Sequence, residues 1–420
     1  MAGVLSDSPD KLRVVLITQW FEPEPAFKGL LFARELAQRG FDVEVVTGFP
    51  NYPSGKLYPG YRLRPLQREQ RDGILVTRVA LYPSHDSSAL RRILNYASFA
   101  ISLTIYGLFL MRRREVIYAY HPPLTVGVAV SIIRLIRRIP VVYDIQDLWP
   151  DTLAATGMLR NPRILRLVEF VCGLVYRSVD RIAVLSPGFR RSLISRQVPA
   201  EKISVIYNWA DETALACRET AGGEWSPSHV FRVIFAGNMG RAQALDAVLE
   251  AASILRGSTR PIRFTFIGGG IEVPRLKALA VERALDNVEF LAPVPMTEIG
   301  SILASADALL VHLAPDPLFS ITIPSKTQAY LCVGRPVIMA VEGDAAELVT
   351  RSGGGVTAKP GDAQSIAAAV RALAERRPED LAAMGERGRA FYREHLAIER
   401  GADQFAALLR AAASTARDPS

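Results

Sequence analysis

The sequence has 420 residues, too many for one ordinary hydrophobic core, and this length indicates two domains of comparable size. Hydrophobic residues make up 49% and charged residues 22%, which excludes a disordered chain or a small disulfide-framed one. Lys and Arg number 50 against 42 Asp and Glu, so the net charge of +8 favours anionic partners such as nucleotide phosphates or phospholipid headgroups.

The first half of the sequence alternates β-branched runs with longer helical patterns, which is typical of parallel sheets covered by helices. The runs are almost continuously apolar, so both faces of the sheet are predicted to be buried. Six strands are predicted, at 14–18, 43–47, 74–79, 116–120, 141–144 and 181–186. We assign residues 1–212 to an N-terminal Rossmann-like domain.

A long uncharged, apolar run at 93–111 is flanked by arginines at both ends. Arg91 and Arg92 precede the run and 112–114 are all arginine. A membrane span would place successive strands on opposite sides of the bilayer, so we expect either a buried helix or one attached to an anionic membrane surface, and favour attachment. The N-terminal sequence lacks a secretory signal pattern, which predicts a cytoplasmic protein held peripherally at the inner face of the plasma membrane.

Gly222, Gly223 and Pro227 interrupt the periodicity, and 213–229 is predicted to be a linker. Six more strands are predicted, at 233–237, 264–268, 288–291, 308–313, 337–341 and near Val356. They define a C-terminal Rossmann-like domain at 230–395, followed by a helix at 396–420 that can cross back to the N-terminal domain. The predicted fold class is α/β, with two doubly wound domains facing across a cleft and ligands at the carboxyl ends of the strands.

Several motifs follow one another in order along the chain. They are RGFDVEVVTGFPNYPSG, AYHPPLTVG, VVYDIQDLWPD, FAGNMGRAQ and IPSKTQAYLCVGRPVIM. In this order they resemble the GT-B glycosyltransferases of retaining family 4, and most closely those of colanic acid, O-antigen and capsule synthesis. The resemblance implies transfer of a hexose, deoxyhexose or acetamido sugar from a UDP- or GDP-sugar to a polyprenyl-diphosphate saccharide. It also implies retention at the anomeric carbon and no cofactor beyond the sugar nucleotide.

The donor is expected in the C-terminal domain, where glycine turns and a helix N-terminus can meet a diphosphate. Ser325 is predicted to cap a helix with Lys326 in its first turn, although a solvated surface lysine would look the same. The glycine turns can also be simple strand-to-helix connections. The predicted donor-binding residues are Gly237, Asn238, Gly240, Arg241, Gln243, Gly268, Gly269, Ser325, Lys326, Thr322 and Gln328.

The sequence departs from the family at the glutamate pair that most members space as E-x7-E. The corresponding positions are Ile321 and Ala329, so both carboxylates are absent and other groups must hold the donor sugar. Two alternative functions stay open, and the missing pair bears on the second of them. One is a sugar-nucleotide epimerase of the same fold, and the other is a degenerate transferase that acts as a binding partner.

The chemistry is expected at the ends of two strands of the N-terminal domain. Asp147 is predicted to act on the acceptor hydroxyl, against the alternative that it caps the next helix, and His121 is the second predicted catalytic residue. The predicted acceptor-binding residues are Lys28, Gly29, Asn51, Tyr52 and Trp149.

No metal site is predicted, because no D-x-D element or His/Cys cluster occurs. The three cysteines, Cys172, Cys217 and Cys332, lie far apart in the sequence and are predicted to be reduced. No nucleic-acid partner is predicted, because no nucleic-acid-reading module is recognisable.

Overall fold

The computed structural model describes residues 11–84, 89–215 and 229–417, and it contains two separate sheets. The first sheet has eight strands, in the order β3-β4-β2-β1-β5-β6-β7-β8. Their bounds are β1 (Leu12–Ile17), β2 (Phe41–Gly48), β3 (Leu66–Arg71), β4 (Ile74–Val79), β5 (Val116–His121), β6 (Val141–Ile145), β7 (Arg181–Val184) and β8 (Ile203–Val205). All pairings are parallel except that of β3 with β4. The strand order reverses between β1 and β5, which makes the carboxyl ends of these strands the expected ligand-binding edge.

The second sheet has six parallel strands, in the order β11-β10-β9-β12-β13-β14. Their bounds are β9 (Phe231–Ala236), β10 (Ile262–Ile267), β11 (Val288–Leu291), β12 (Ala308–His312), β13 (Val337–Ala340) and β14 (Gly355–Thr357). Counted within this half, the order is the 3-2-1-4-5-6 arrangement of a dinucleotide-binding fold, with its reversal between β9 and β12. The predicted fold class is confirmed.

Helices cover both faces of each sheet. Their bounds are α1 (Leu30–Gln38), α2 (Ala89–Ile105), α3 (Leu124–Arg137), α4 (Asp151–Ala155), α5 (Pro162–Ser178), α6 (Pro187–Ser195), α7 (Asp246–Ile254), α8 (Val273–Glu282), α9 (Met296–Ala304), α10 (Pro317–Ser320), α11 (Ser325–Val333), α12 (Asp344–Ser352), α13 (Ala363–Ala374), α14 (Pro378–His395) and α15 (Ile398–Arg417). A π-helical turn (Tyr106–Leu110) extends α2, and short 3-10 turns lie at Ala200–Lys202 and Arg241–Gln243.

The last helix, α15, packs on the first sheet although it follows the second in sequence. Its Phe405 is fully buried against Phe32 and Tyr118, with ring centroids 5.3 and 5.5 Å apart. At the crossing point the carboxylate of Glu212 accepts hydrogen bonds from the Tyr392 hydroxyl (2.9 Å) and the Ile398 amide (3.0 Å). The two halves of the chain are therefore joined twice, near 212 and again near 395.

A further interdomain contact is polar and buried. The Asp344 carboxylate of the second domain accepts a hydrogen bond from the Gly188 amide at the start of α6 (2.5 Å) and pairs with Arg191 at 2.8 Å. Close by, the Ser186 hydroxyl donates to the Ile321 carbonyl at 2.5 Å. Because α6 belongs to the first domain, these bonds fix one edge of the interdomain cleft.

The structure departs from the sequence-based predictions at a few points. Strand β3, with charged and polar side chains at an antiparallel edge, and the three-residue β8 were not predicted, because neither has the apolar run of a central strand. The prediction of reduced cysteines holds for the buried Cys172 but is wrong for Cys332, which is disulfide-bonded. Cys217 and most of the predicted linker, 216–228, lie outside the described residues.

Candidate active site

A cavity of about 800 Å³ lies between the two domains. The first domain contributes Phe27, Asp147 and Trp209 to its wall. The second domain contributes the loops that follow β9 and β10, together with the start of α11. The cavity therefore opens at the carboxyl ends of the central strands, where the sheet topology predicts a ligand.

The glycine loops after β9 and β10 run against each other at close range. Gly237 and Gly268 adopt φ values of +124° and +136°, which residues other than glycine rarely adopt. A Cβ on Gly268 would stand 2.2 Å from the Gly237 carbonyl oxygen. Glycine is therefore required at Gly268 for the two loops to pack together. The same glycines leave main chain without side chains on the cavity wall.

Lys326 lies in the first turn of α11, and its ammonium stands 3.5 Å from the centre of the Phe235 ring. Burial lowers the pKa of this lysine to about 7. Among the residues that the structure describes, no carboxylate pairs with it. A buried cation beside the bare Gly237 backbone at a helix N-terminus is suited to bind a diphosphate.

The other predicted donor residues divide into two groups. Those that line the interdomain cavity are Gly237, Asn238, Gln243, Gly268, Gly269, Thr322, Ser325 and Lys326. Gly240, Arg241 and Gln328 do not line it. The Arg241 side chain is 77% exposed and pairs with Glu272 at 3.7 Å. The Gln328 amide, turned so that its nitrogen donates, bonds the Pro324 carbonyl at 2.9 Å.

The start of α11 differs from the prediction by one residue. Pro324 is the N-cap and Ser325 is the first helical residue, and the Ser325 side chain makes no capping hydrogen bond. The prediction that Ser325 caps this helix is therefore wrong. Without a side-chain cap, the first amides of the helix stay available for a ligand.

His312, at the end of β12, was not predicted although it lines the same cavity. Its Nδ1 atom lies 2.7 Å from the Gln243 carbonyl, and its Nε2 atom accepts from the Gly361 amide at 3.0 Å. Burial lowers the pKa of this histidine, so the ring is neutral and connects two loops. Its position as the last residue of a buried strand was the signal that could have found it.

The two positions without glutamate have different surroundings. Ala329 lines the interdomain cavity, whereas Ile321 packs at the domain contact beside Gly188. The carboxylates on the cavity wall are Asp147 and Asp211, and neither comes from the second domain. The second-domain side of the wall therefore offers side-chain amides and hydroxyls rather than acids.

A second cavity of about 440 Å³ lies within the first domain, and it shares Phe27 and Asp147 with the interdomain cavity. Its walls include the aromatic side chains of Trp20, Tyr52 and Tyr120. We call it the aromatic cavity. The two shared residues lie where the two cavities adjoin.

Asp147 follows β6, and its carboxylate has no hydrogen bond or ion pair with any described residue. Burial raises the pKa of this carboxyl group. The alternative role as a helix cap is not realised, because the N-cap of α4 is Pro150. A carboxylate without a partner between two cavities is placed to accept a hydrogen bond from a substrate hydroxyl.

Lys28 is fully buried and pairs with Asp144, which also accepts a hydrogen bond from the Tyr118 hydroxyl at 2.5 Å. The Lys28 ammonium stands 4.4 Å from the centre of the Phe405 ring of α15. Burial lowers the pKa of this lysine against the opposing effect of Asp144. The charge of Lys28 is therefore already balanced inside the protein.

His121 is also fully buried, and neither ring nitrogen has a hydrogen-bond partner among the described residues. Burial lowers its pKa to about 3, so the ring is neutral. It meets Trp149 edge to face at 5.4 Å, and its carbonyl accepts from the Gln146 amide at 3.2 Å. His121 and Trp149 line neither cavity and instead lie behind the loop that carries Asp147.

Two carboxylates of the loop before α1 bind main-chain amides near the predicted acceptor residues Gly29, Asn51 and Tyr52. Glu22 accepts from the Leu30 amide at the start of α1 (2.8 Å), and a Cβ on Gly29 would meet its carboxylate. The Glu24 carboxylate accepts from the amides of Asn51 and Tyr52, both at 2.6 Å. Asn51 is buried in this network, while the Tyr52 ring reaches the aromatic cavity.

The helices α2, α3 and α5 pack side by side in this order and together expose an apolar surface. The segment Arg91–Leu110 is long and apolar enough to cross a membrane, and only 28% of it is buried. It connects two strands of one sheet, however, and this connection argues against a membrane span. We call this surface the apolar helix face. Its most exposed residues, each at least 60% exposed, are Ile93, Ile101, Phe109, Leu135, Ile136, Leu167 and Phe170.

No group of acidic, His or Cys side chains with the arrangement of a metal site occurs among the described residues. Two Rossmann-like sheets with a cavity between their carboxyl edges define the GT-B architecture of glycosyltransferases. Residues 30–209 match the glycosyl transferase 4-like domain, and residues 230–376 match the glycosyl transferases group 1 family. The chain therefore belongs to the GT-B glycosyltransferases of family 4 type.

Similar proteins agree with this assignment. The probable glycosyltransferase WbjE of Pseudomonas aeruginosa is 25% identical over 77% of this chain and 80% of its own length. The putative colanic acid biosynthesis glycosyl transferase WcaI of Escherichia coli K12 is 26% identical over 73% of this chain and 77% of its own length.

Solved structures share the fold. HepE of Anabaena, in complex with UDP, superposes with a TM-score of 0.68 at 17% identity, over 95% of this chain and all of its own. The trehalose 6-phosphate synthase of Burkholderia multivorans gives 0.71 at 12% identity, over 97% and 98%. The predicted family is confirmed.

Proposed function

We propose that this glycosyltransferase moves a sugar from a UDP- or GDP-sugar, with retention, to a saccharide carried on polyprenyl diphosphate. The observation that carries the proposal is the pair of adjoining cavities with Asp147 and Phe27 common to both. A donor in one and an acceptor in the other would meet beside the Asp147 carboxylate.

Three features support the interdomain cavity as the donor site. It has the volume of a small-molecule site, and its wall carries bare glycine main chain and the Lys326 ammonium. The HepE structure with the same fold was solved with UDP and with UDP-glucose. A diphosphate beside Lys326 would gain the charge of the lysine and the dipole of α11. No metal is required for this stabilisation of the leaving group.

Asp147 would orient the acceptor hydroxyl toward the anomeric carbon of the donor. Its carboxylate accepts the hydrogen bond of that hydroxyl and raises the electron density on the attacking oxygen. The Asp147 loop is supported from behind by Trp149 and His121, so we now give His121 a positioning role.

The acceptor class is supported by the apolar helix face and by the relatives. Exposed side chains such as Phe109 (78%) and Leu135 (76%) form a surface that water disfavours, and exposed Arg112, Arg113 and Arg138 lie at its edges. Apolar side chains bordered by arginine suit the inner, anionic face of a membrane. WcaI is named for colanic acid synthesis, and a cell-surface polysaccharide is the product class that we propose here.

A transfer assay on purified protein tests the proposal. UDP- and GDP-sugars are incubated with an extract of polyprenyl-linked saccharides, and donor-dependent lipid-linked product is expected. The missing glutamate pair favours one competing function, a degenerate transferase that only binds. Nucleotide binding without transfer from any donor would support that competitor, whereas an epimer formed from the sugar nucleotide alone would indicate an epimerase.

A further inference from the structure

The aromatic cavity has a wall chemistry different from that of the donor site. Trp20, Phe27 and Tyr52 present ring faces or edges within it, and Trp20 packs against Tyr52 with ring centroids 5.6 Å apart. Phe27 is in turn stacked on Trp209 at 5.6 Å, which fixes its plane. Fixed aromatic rings offer a large contact area at a small entropic cost, and they suit the apolar C–H faces of a pyranose ring.

The charges of the same cavity exclude an anion. The cation on its wall, Lys28, is paired with Asp144 and packed over two aromatic rings, so its charge is already balanced by Asp144. The remaining charged side chain on the wall, Asp147, is acidic. A phosphate or uronate placed here would meet a carboxylate and no available cation, so repulsion and desolvation would both oppose its binding.

Hydrogen-bonding groups complete the site. The Tyr120 hydroxyl and the Asp147 carboxylate both reach the cavity and have no hydrogen-bond partner among the described residues. Burial and the neighbouring carboxylates raise the pKa of Tyr120, so its hydroxyl remains a donor. One donor and one acceptor without partners, set among aromatic rings, match the alternating C–H and O–H groups of a sugar.

We infer that the aromatic cavity is the subsite for the terminal, uncharged pyranose of the acceptor, and that Trp20 is its main stacking platform. The inference deepens the proposed function and rests on it. The diphosphate of the carrier then lies outside this cavity. Trp20 also meets Tyr96 of α2 edge to face at 6.3 Å, and Asn95 of α2 accepts from Gln19 at 2.6 Å. The subsite is thus built directly on the helix that carries part of the apolar helix face.

Kinetics with water-soluble acceptors test this inference. Neutral alkyl glycosides and their uronic acid counterparts are compared on the wild-type protein, on Trp20→Ala, on Trp20→Phe and on Tyr82→Ala, a change of an exposed aromatic residue outside the cavity. We expect Trp20→Ala to raise the acceptor KM about tenfold or more, with the donor KM and UDP affinity unchanged. Trp20→Phe should recover much of the loss, and Tyr82→Ala should match the wild type.

Saturation-transfer NMR of the same glycosides measures saccharide binding without turnover. We expect binding of the neutral glycosides, weaker binding of the uronates by about tenfold, and loss of both signals in Trp20→Ala. Equal binding of uronates, or an unchanged acceptor KM in Trp20→Ala, would overturn the inference while leaving transferase activity intact. Binding of glycosides without any transfer would instead contradict the proposed function and keep the subsite.

Discussion

At the scale of single residues, the cavities are defined by groups that have no partner inside the protein. Lys326 and Asp147 are both largely buried, and neither has an oppositely charged neighbour among the described residues. Burial of an unpaired ionisable group destabilises its charged form, which is why one pKa falls and the other rises. A substrate that binds beside either group can therefore change its protonation.

Lys326→Gln is predicted to weaken UDP binding by roughly 10- to 150-fold, since a charge-assisted hydrogen bond contributes about 1.5–3 kcal/mol. Because the free lysine has a pKa of about 7, a diphosphate that favours the ammonium should draw a proton onto the protein at pH 7–8. Affinity should therefore decline as pH rises through 7.

Titration calorimetry in two buffers with different ionisation enthalpies measures both effects. The matched control is Lys277→Gln, which removes one positive charge from an exposed position on α8. Proton uptake that persists in Lys326→Gln would assign the titration to another group.

Asp147→Asn is predicted to lower kcat by about 100-fold or more without weakening UDP binding. The raised pKa of Asp147 means that its carboxylate protonates at a higher pH than usual, so wild-type activity should fall as pH falls through that value. The asparagine variant should lose this acidic limb. A pH–rate profile of kcat/KM provides the measurement, and an unchanged limb would exclude Asp147 as the titrating group.

Much of the candidate site could be predicted from the sequence where a residue lies in the loop after a buried strand or opens a helix. Asp147 and Lys326 are such residues, because strand ends and helix starts are readable from local pattern. Lys28 could not be interpreted in this way. Its partner Asp144 is 116 residues away, and only the folded sheet brings the two together. The Glu22 carboxylate at the start of α1 was missed for a similar reason, since a loop conformation places it there.

At the scale of elements, α2 combines two roles that usually belong to different helices. Its Asn95 side chain is buried and connects Gln19 with the Tyr82 carbonyl, whereas Ile93 and Ile101 are about 60% exposed. Arginines border the run at both ends. The apolar run and its arginines are visible in the sequence. That α5 contributes to the same exposed surface could be recognised only from the packing order of α2, α3 and α5.

Replacing Ile101 and Phe109 together by serine is predicted to reduce binding to anionic phospholipid vesicles by about tenfold or more, since two large apolar side chains would no longer enter the lipid. Both are exposed, so thermal stability and turnover of a soluble acceptor should hardly change. Vesicle sedimentation measures the binding. The control replaces Ile271 and Val281 of the second domain, which are equally exposed but distant in sequence. Equal loss in both variants would refute a specific membrane-binding face.

At the scale of the whole molecule, the two domains are connected by buried polar bonds as well as by chain crossings. Asp344 has a fully buried side chain, and it accepts a hydrogen bond from the Gly188 amide in the first turn of α6, a helix of the other domain. Because the interdomain cavity lies between these domains, the same contact fixes the position of its two walls relative to each other.

Asp344→Ala is predicted to destabilise the protein by about 2 kcal/mol, because it leaves the Gly188 amide buried and unpaired. Glu347→Ala removes an exposed carboxylate from the same helix and should have little effect. Denaturant unfolding measures the difference. Equal midpoints for the two variants would show that the Asp344 contact does not couple the domains.

The most direct measurement of the central claim is sugar transfer by wild-type protein, Asp147→Asn and Lys326→Gln, assayed beside UDP or GDP binding on the same samples. We predict lipid-linked product with the wild type and retained nucleotide binding but little product with Asp147→Asn. For Lys326→Gln we predict nucleotide binding that is weaker by roughly 10- to 150-fold, with less product. Full transfer by Asp147→Asn, or nucleotide binding that is indifferent to Lys326→Gln, would contradict the assignment of donor and reaction site.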